Sequence, residues 1–405
     1  MTYVISFALF LLGLPKASCM AVSKKKIRDS SAGAGFGASS TKKMYQPDES
    51  ESTQRLLHFL KSQKSSIDSV QVGLDPANSN RRGLYAAKQI AKAEKIICKI
   101  PSDCALALSD PAKQLAGEDD TPTLAHAGAN FLRMYVKNDQ AKRLWSPYLD
   151  TLPDPTDKEF IENTTPDYFT DEEIDLLEFP RLKEKALQRK KDLQSVSQES
   201  NIPLDELQYA TYLVSSRSFP IQLATEDEKD PDFGGVNDET RVLRDDRGQV
   251  ITKVVDEADK KYVRVMVPLL DMANHKSTGE ANAKLTILDP EKDDAWFALE
   301  ALRPIPQGKE ITISYGSGID SSVELLLNYG FVPIEGNRVD AFMLKKGGDD
   351  AITSLDGWTT TLEEDKTMLN LLDSEEDGSS ESLHLRKILS FRIRLKEAYG
   401  EIPQT

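Results

Sequence analysis

The sequence predicts an α+β protein, and three observations carry that prediction. Strand signals fill Ile67 to Pro101, where apolar alternation is broken by Gly and Asn, and they return between Val263 and Ser314. Between these two blocks lies a long stretch whose apolar residues recur with helical spacing. A last amphipathic helix is predicted at Leu383 to Tyr399. Two groups of strands around one helical lobe, with a helix at the end, make the class α+β.

Taken in order, folded structure is expected to begin near Ser52, where Leu56, Leu57, Phe59 and Leu60 recur at helical spacing. Lys95 to Ile100 reads as a strand stopped by Pro101. Between Thr123 and Arg143, Leu124, Ala127, Phe131, Leu132 and Tyr135 share one helical face, and Trp145, Tyr148 and Leu149 add an aromatic end before Pro153 and Pro155. The helical lobe continues through Asp171 to Ser200, with Ile174, Leu177 and Leu182 as its buried stripe. It resumes from Leu204 to Val214 after the turn at Pro203. Thr225 to Lys261 is acidic and punctuated by Asp-Pro, Gly-Gly and Arg-Gly, which suits an exposed hairpin or loop. Strands are expected at Val263 to Leu270, Lys284 to Leu288, Ala295 to Ala301 and Glu310 to Ser314. After Asp340 the chain turns acidic and Gly-rich until the last helix.

Composition narrows the function classes. A chain of 405 residues with 39% hydrophobic and 29% charged side chains suits a globular protein of two or three lobes. The net charge of -15 argues against nucleic acid as partner, because phosphate neutralisation needs a basic face. Cys19, Cys98 and Cys104 allow at most one disulfide. His58, His126, His275 and His384 are scattered without metal-ligand spacing, so no metal is expected. Gly33, Gly35 and Gly37 have no strand before them and no helix after, which makes them linker rather than a phosphate loop.

The apolar run Val4 to Leu14 is too short to span a bilayer and has the length of a secretory h-region, followed by the small residues Ala17, Ser18 and Cys19. Residues 1–19 are therefore expected to be a signal peptide, and residues 20–51 a disordered, transit-like segment poor in acids. Together they suggest a two-step plastid address, with the secretory pathway or the cytoplasm as alternatives. No later segment is apolar enough for stable membrane insertion.

Four blocks then appear in order: Ser216 to Pro220, Val267 to His275, Glu310 to Gly316 and Glu324 to Phe331. With the opening run Arg82 to Ile90, the run Ala93 to Ile97 and the segment Trp145 to Pro153, the chain resembles SET-domain proteins of the Rubisco large-subunit methyltransferase type, a family that also contains an actin-histidine methyltransferase. The resemblance covers roughly residues 55 to 340. It implies a β-rich SET core over 52–340 with a knot-like C-terminal segment and a helical insertion at about 110–214, interrupted here by the acidic loop at 225–261; where that class carries a large helical lobe after the core, this chain departs with a reduced helical region at 341–405. No cysteine follows Cys104, so the cysteine-rich zinc module of histone-type SET enzymes is absent from the sequence.

What the resemblance implies for the site is specific. The cofactor would be S-adenosylmethionine and the partner a protein presenting a lysine side chain, with the enzyme a monomer. Asn274 and His275 would grip the amino-acid end and the adenine, with Asp271 ordering their turn or touching ligand. Arg217, a fixed cation with a planar fork of donors, would hold the carboxylate. Gly83, in a turn whose first glycine position is held by Arg81, would line the cofactor with backbone groups, as would Lys95, Ile96 and Ile97. Phe331, in the sequence Tyr329, Gly330, Phe331, would pack against the adenine, and Tyr315 would point its phenol at the transfer centre. Two other readings stay open: a histidine acceptor, and a catalytically silent SET module that binds a protein partner.

Overall fold

The computed structural model of the protein describes residues 45–75, 81–109, 123–222, 241–244, 250–254, 262–277, 279–290, 295–315, 321–333, 339–341, 344, 358–374 and 379–400. The expected signal peptide and all of the transit-like segment up to residue 44 lie outside the described residues, as does most of the acidic stretch 225–261. Regular structure is already present before Ser52, where the sequence suggests that it begins. Strand β1 (Gln46–Pro47) pairs antiparallel with β2 (Val70–Leu74), and Tyr45 stacks on Tyr85 with ring centroids 4.4 Å apart. Apolar content in 45–51 is too low for periodicity to reveal a two-residue edge strand.

The sheet that carries the site has five strands in the order β1, β2, β3 (Arg82–Ala86), β13 (Glu310–Ile313) and β10 (Asn274–His275). Its two last strands run parallel, with Asn274 opposite Thr312 and His275 opposite Ile313. That pairing brings two segments nearly forty residues apart in sequence side by side. A second sheet joins β11 (Ala283–Leu288), β12 (Trp296–Ala301) and β4 (Ile96–Pro101), and a third joins β5 (Leu106–Ala107), β9 (Tyr262–Met266) and β6 (Ser218–Gln222). Within the acidic stretch, β7 (Arg241–Arg244) and β8 (Val250–Val254) form an antiparallel hairpin. Leu84, Ile100, Leu106, Leu299 and Ile311 from these sheets are wholly buried in one apolar core. Cys98 and Cys104 lie in that core as free thiols, and burial pushes both pKa values up to about 12.

Helix α1 (Glu51–Ser62) starts where Ser50 accepts the Thr53 N–H, and it buries Leu56 and Leu60 in the same core. The inserted lobe comprises α2 (Leu124–Phe131), a π-turn at Leu132–Val136, α3 (Asp139–Leu149), α4 (Lys158–Glu162), α5 (Asp171–Asp175), α6 (Pro180–Ser200) and α7 (Leu204–Arg217). The helical lobe expected through Asp171 to Ser200 is built from two helices rather than one. Glu178 takes φ 53°, and Pro180, which has no N–H to donate, begins a new helix as its first residue. Helix α8 (Ser322–Tyr329) packs on α6 and α7 of the inserted lobe.

The C-terminal region also departs from expectation. Where the sequence reads as acidic and Gly-rich, α9 (Leu362–Ser374) forms, and it packs with α10 (Ser380–Gly400). Helix α10 completes a second core: Ile388, Phe391 and Leu395 are buried against Phe169, Phe179 and Leu182 of the inserted lobe and Leu326 of α8. A buried ionic cluster locks the two last helices. Asp365 accepts from Arg392 at 2.8 Å and from Lys396 at 2.6 Å. Among the described residues no helix is long and apolar enough to cross a membrane, and no group of three His, Cys, Asp or Glu could hold a metal ion.

Candidate active site

The backbone turns sharply before β10. Leu269, a fully buried leucine, adopts φ 73°, a conformation that costs an L-residue on the order of 1–3 kcal/mol. The short turn Leu270–Met272 that follows aims Asp271 inward. The side chain of Asp271 is shut off from solvent; it accepts the Tyr148 hydroxyl at 2.7 Å and faces Arg217 Nη1 at 3.5 Å. Burial pushes its carboxyl pKa up against the pull of Arg217. Its Oδ1 has no hydrogen-bond partner, which for a buried charged oxygen marks a site waiting for a donor. Arg217, the last residue of α7, is thus held from behind by an anion while its guanidinium borders open space.

Asn274 is fixed by two acceptors. Its Nδ2 donates to the Arg82 carbonyl at 2.9 Å and to Glu310 Oε1 at 2.8 Å. Neither partner can donate, so the amide has one orientation and its Oδ1 is left for the cavity that Asn274 lines. Gly83 makes this possible. A Cβ there would come within 2.7 Å of Asn274 Nδ2 and 2.9 Å of Glu310 Oε1. The glycine sits inside β3 rather than in a turn, and its φ is not positive, so its missing side chain matters for close approach.

His275 and Tyr315 are tied to each other. The Tyr315 backbone N–H donates to His275 Nδ1 at 3.1 Å, which places the imidazole proton on Nε2. That Nε2 is buried with no partner. Burial, with Lys276 and Arg81 nearby, pushes the His275 pKa down to about 4, so the ring is neutral at physiological pH. The Tyr315 hydroxyl donates to the Ala273 carbonyl at 3.0 Å, and burial raises its pKa. Its ring lies 4.5 Å from Tyr329, 5.2 Å from His275 and 6.4 Å from Phe331, and His275 and Phe331 are 5.8 Å apart. Gly330 joins the last two aromatics. It caps α8 at φ 74°, and a Cβ there would overlap the Asn163 carbonyl.

Arg217, Asp271, Asn274, His275, Tyr315, Tyr329 and Phe331 all line one cavity of about 450 Å³. Gly83 and Gly330 support the residues that line it without lining it themselves, and Lys95, Ile96 and Ile97 do not line it either. The Lys95 carbonyl accepts the Ala301 N–H at 2.9 Å, Ile96 pairs with Glu300 on β12 and Ile97 is buried in the core, so these residues build the second sheet. The cavity also takes in Arg81, Arg82, Glu162, Asn163 and Tyr212, which sequence reasoning did not assign to the site. Arg81 and Arg82 stood beside the quoted Gly83, so proximity in sequence could have found them. Glu162, Asn163 and Tyr212 come from the inserted lobe, where helical periodicity reveals the buried face and not the residues that close over a cavity.

The family model for the SET domain matches residues 81–316, more than half of the chain. The chain belongs to the SET-domain family. Solved structures agree on the fold. The SET domain of LSMT bound to lysine and AdoHcy superposes with TM-score 0.54 at 14% identity, over 87% of this chain and 91% of that one. The same domain bound to methyllysine and AdoHcy gives 0.51 at 16% identity, again over 87% and 91%. Rubisco LSMT bound to sinefungin and monomethyllysine gives 0.50 at 15%, over 86% and 89%. No curated protein sequence matches the chain significantly. The SET match ends at 316, yet Tyr329 and Phe331 of α8 and its cap line the same cavity as the SET residues, so the site extends past the matched segment.

Proposed function

We propose that this SET-domain protein is an S-adenosylmethionine-dependent protein-lysine N-methyltransferase acting on a non-histone protein. The observation that carries the reading is the meeting of Arg217, His275, Tyr315, Tyr329 and Phe331 in one cavity. Structural neighbours that share the fold hold lysine or methyllysine together with AdoHcy or sinefungin, which supports the same pair of ligands here.

The residues fit the cofactor. Arg217 offers a fork of donors to its carboxylate, His275 Nε2–H is a buried donor lacking an acceptor, and Asp271 Oδ1 and Asn274 Oδ1 are acceptors for its N–H and O–H groups. When bound, S-adenosylmethionine supplies a methyl group on a positively charged sulfur. The aromatic rings of Tyr315, Tyr329 and Phe331 exclude water from the place where an amine would sit, and a dry wall penalises the ammonium form of a lysine whose pKa is about 10.4 in water. Tyr315 keeps its proton, because burial raises its pKa and its O–H is committed to Ala273. It therefore acts by offering oxygen lone pairs to the N–H of the incoming amine and not as a base. Alignment of two reactants is worth about 7 to 11 kcal/mol of barrier, which makes a site without a strong base sufficient.

The test is direct. Purified protein should bind S-adenosylmethionine in a calorimeter and pass a labelled methyl to lysate proteins, with methyl-lysine recovered after hydrolysis. Absence of both binding and transfer would leave a silent module, and a methyl-histidine product would reject the lysine acceptor. Tyr315→Phe keeps the ring stack and removes the hydroxyl, so turnover should fall by about a hundredfold while cofactor affinity stays within about threefold. For location we propose plastid delivery by the leader, to be checked by imaging a fluorescent fusion of residues 1–51.

A further inference from the structure

The cavity's aromatic wall is held from the far side by the last helix of the chain. Helix α10 places Lys387 Nζ 2.8 Å from the Thr164 carbonyl and 3.1 Å from the Thr164 hydroxyl. One turn earlier, His384 brings Nε2 to 3.3 Å from the same hydroxyl, with its Nδ1 3.1 Å from Glu173 and its ring tilted against Phe169 at 4.4 Å between centroids. Thr164 is 5% exposed. Its neighbour Asn163 lines the cavity, and the carbonyls of Asn163 and Thr164 press on Gly330 so closely that no side chain fits there. Gly330 in turn connects Tyr329 and Phe331, whose rings pack at a tilt against Tyr315 and His275. A continuous series of contacts therefore runs from α10 to the aromatic wall.

We propose that Lys387 is a positioning residue, with His384 beside it: by holding Thr164 it presses Asn163 against Gly330 and sets the spacing of Tyr329 and Phe331 around Tyr315. This rests on the methyltransferase reading for its effect on rate, but not for its structural claim. Burying an amine is costly, and burial pushes the Lys387 pKa down to about 7 with only Glu162 opposing. A leucine or methionine would pack there without that cost, so the donor to Thr164 is the feature the position supplies. The need for such a support follows from the cap itself. Gly330 in the left-handed region has no side chain of its own to anchor the Tyr329–Phe331 segment.

Two substitutions separate packing from positioning. Lys387→Met keeps the apolar stem and removes the donor, whereas Lys387→Gln keeps a donor without charge. Hydrogen–deuterium exchange on the full chain should show faster exchange at 162–164 and 329–331 in Lys387→Met, with α10 itself still protected, and near wild-type exchange in Lys387→Gln. At saturating S-adenosylmethionine, labelling of lysate proteins should fall by about tenfold in Lys387→Met and by less than about twofold in Lys387→Gln, since sub-ångström misplacement at a transfer site is enough for such a loss. If exchange at 329–331 is unchanged in Lys387→Met while α10 remains folded, or if Lys387→Gln behaves like Lys387→Met, the proposal is overturned. Exchange does not depend on activity, so a wild-type protein that transfers no methyl would count against the enzyme reading and leave this one standing.

Discussion

Glu310 decides which way the Asn274 amide faces, since two pure acceptors leave it no alternative. Glu310→Gln introduces a donor that can bond Asn274 Oδ1, so the amide is free to turn over. Loss of one oriented acceptor toward the cofactor should weaken S-adenosylmethionine binding by about tenfold with turnover at saturation little changed, readable by calorimetry and steady-state kinetics. A normal Kd in Glu310→Gln would show that Asn274 does not read the ligand. His275 gives a pH prediction. Its folded pKa of about 4 lies below the ordinary 6.5, so the unfolded chain binds the extra proton between those values and stability rises with pH across that window. Stability should fall by as much as about 3 kcal/mol as pH drops from 6.5 to 4, at about 1.4 kcal/mol per unit. His384, also held below its ordinary value mainly by burial, acts in the same direction. Chemical denaturation from pH 4 to 7 should show a shallower slope in His275→Gln than in wild type. At this scale, Asn274, His275, Arg217 and Tyr315 were legible because each sits in a quoted block. Glu310 stands in one of those blocks too, but its contact with Asn274 spans 36 residues of sequence and depends on strand pairing that no local pattern shows.

Elements were read well where periodicity was long and poorly where a single residue set the outcome. The strands Lys284 to Leu288 and Ala295 to Ala301 are β11 and β12 almost to the residue, because alternation in the first and a short apolar run bounded by polar residues in the second are both strand signals. Inside the helical lobe expected over Asp171 to Ser200, the break at Glu178 is not visible in the apolar stripe, which continues across it, although Pro180 marks the start of α6. Helix α9 was missed because its exposed face includes Met368 and Leu371 while its best-buried position is the carboxylate Asp365, which reverses the usual pattern. Strand β4 was found, but which of its backbone groups face a ligand was not, because pairing with β12 is a tertiary choice. The sharpest test at this level is the α8 cap. Gly330→Ala combines a positive φ, costing about 1 kcal/mol, with overlap onto the Asn163 and Thr164 carbonyls, so the segment must shift. Stability should drop by at least about 2 kcal/mol and cofactor affinity should fall with it. A soluble Gly330→Ala protein with wild-type stability would mean the close approach is relaxed at little cost.

For the whole molecule, the boundary expected at residue 340 divides one folded unit. Sequence composition shifts there, from strands and apolar helices to acidic and Gly-rich chain, and a composition shift is what a domain boundary usually looks like. The structure instead carries the chain back: Ile388, Phe391, Leu395 and Ala398 of α10 are each no more than 2% exposed and fill the space between α5, α6 and α8. Burying a large apolar side chain is worth roughly 1.5–3 kcal/mol, so the three large ones together approach the 5–15 kcal/mol by which a typical domain is stable at all. Removing α10 would expose Phe179, Leu182 and Leu326, take from Glu173 and Thr164 the partners they have on α10 and leave the wall around Gly330 without support from that helix. A protein ending at Asp340 should therefore be insoluble or bind a hydrophobic dye like a molten state, even though it contains every residue of the SET match and every residue that lines the cavity. The control is a chain ending after Gly400, which should unfold cooperatively with the stability of the full protein. If the shorter chain instead unfolds cooperatively and binds S-adenosylmethionine, the catalytic core is autonomous and the last two helices are an appended layer.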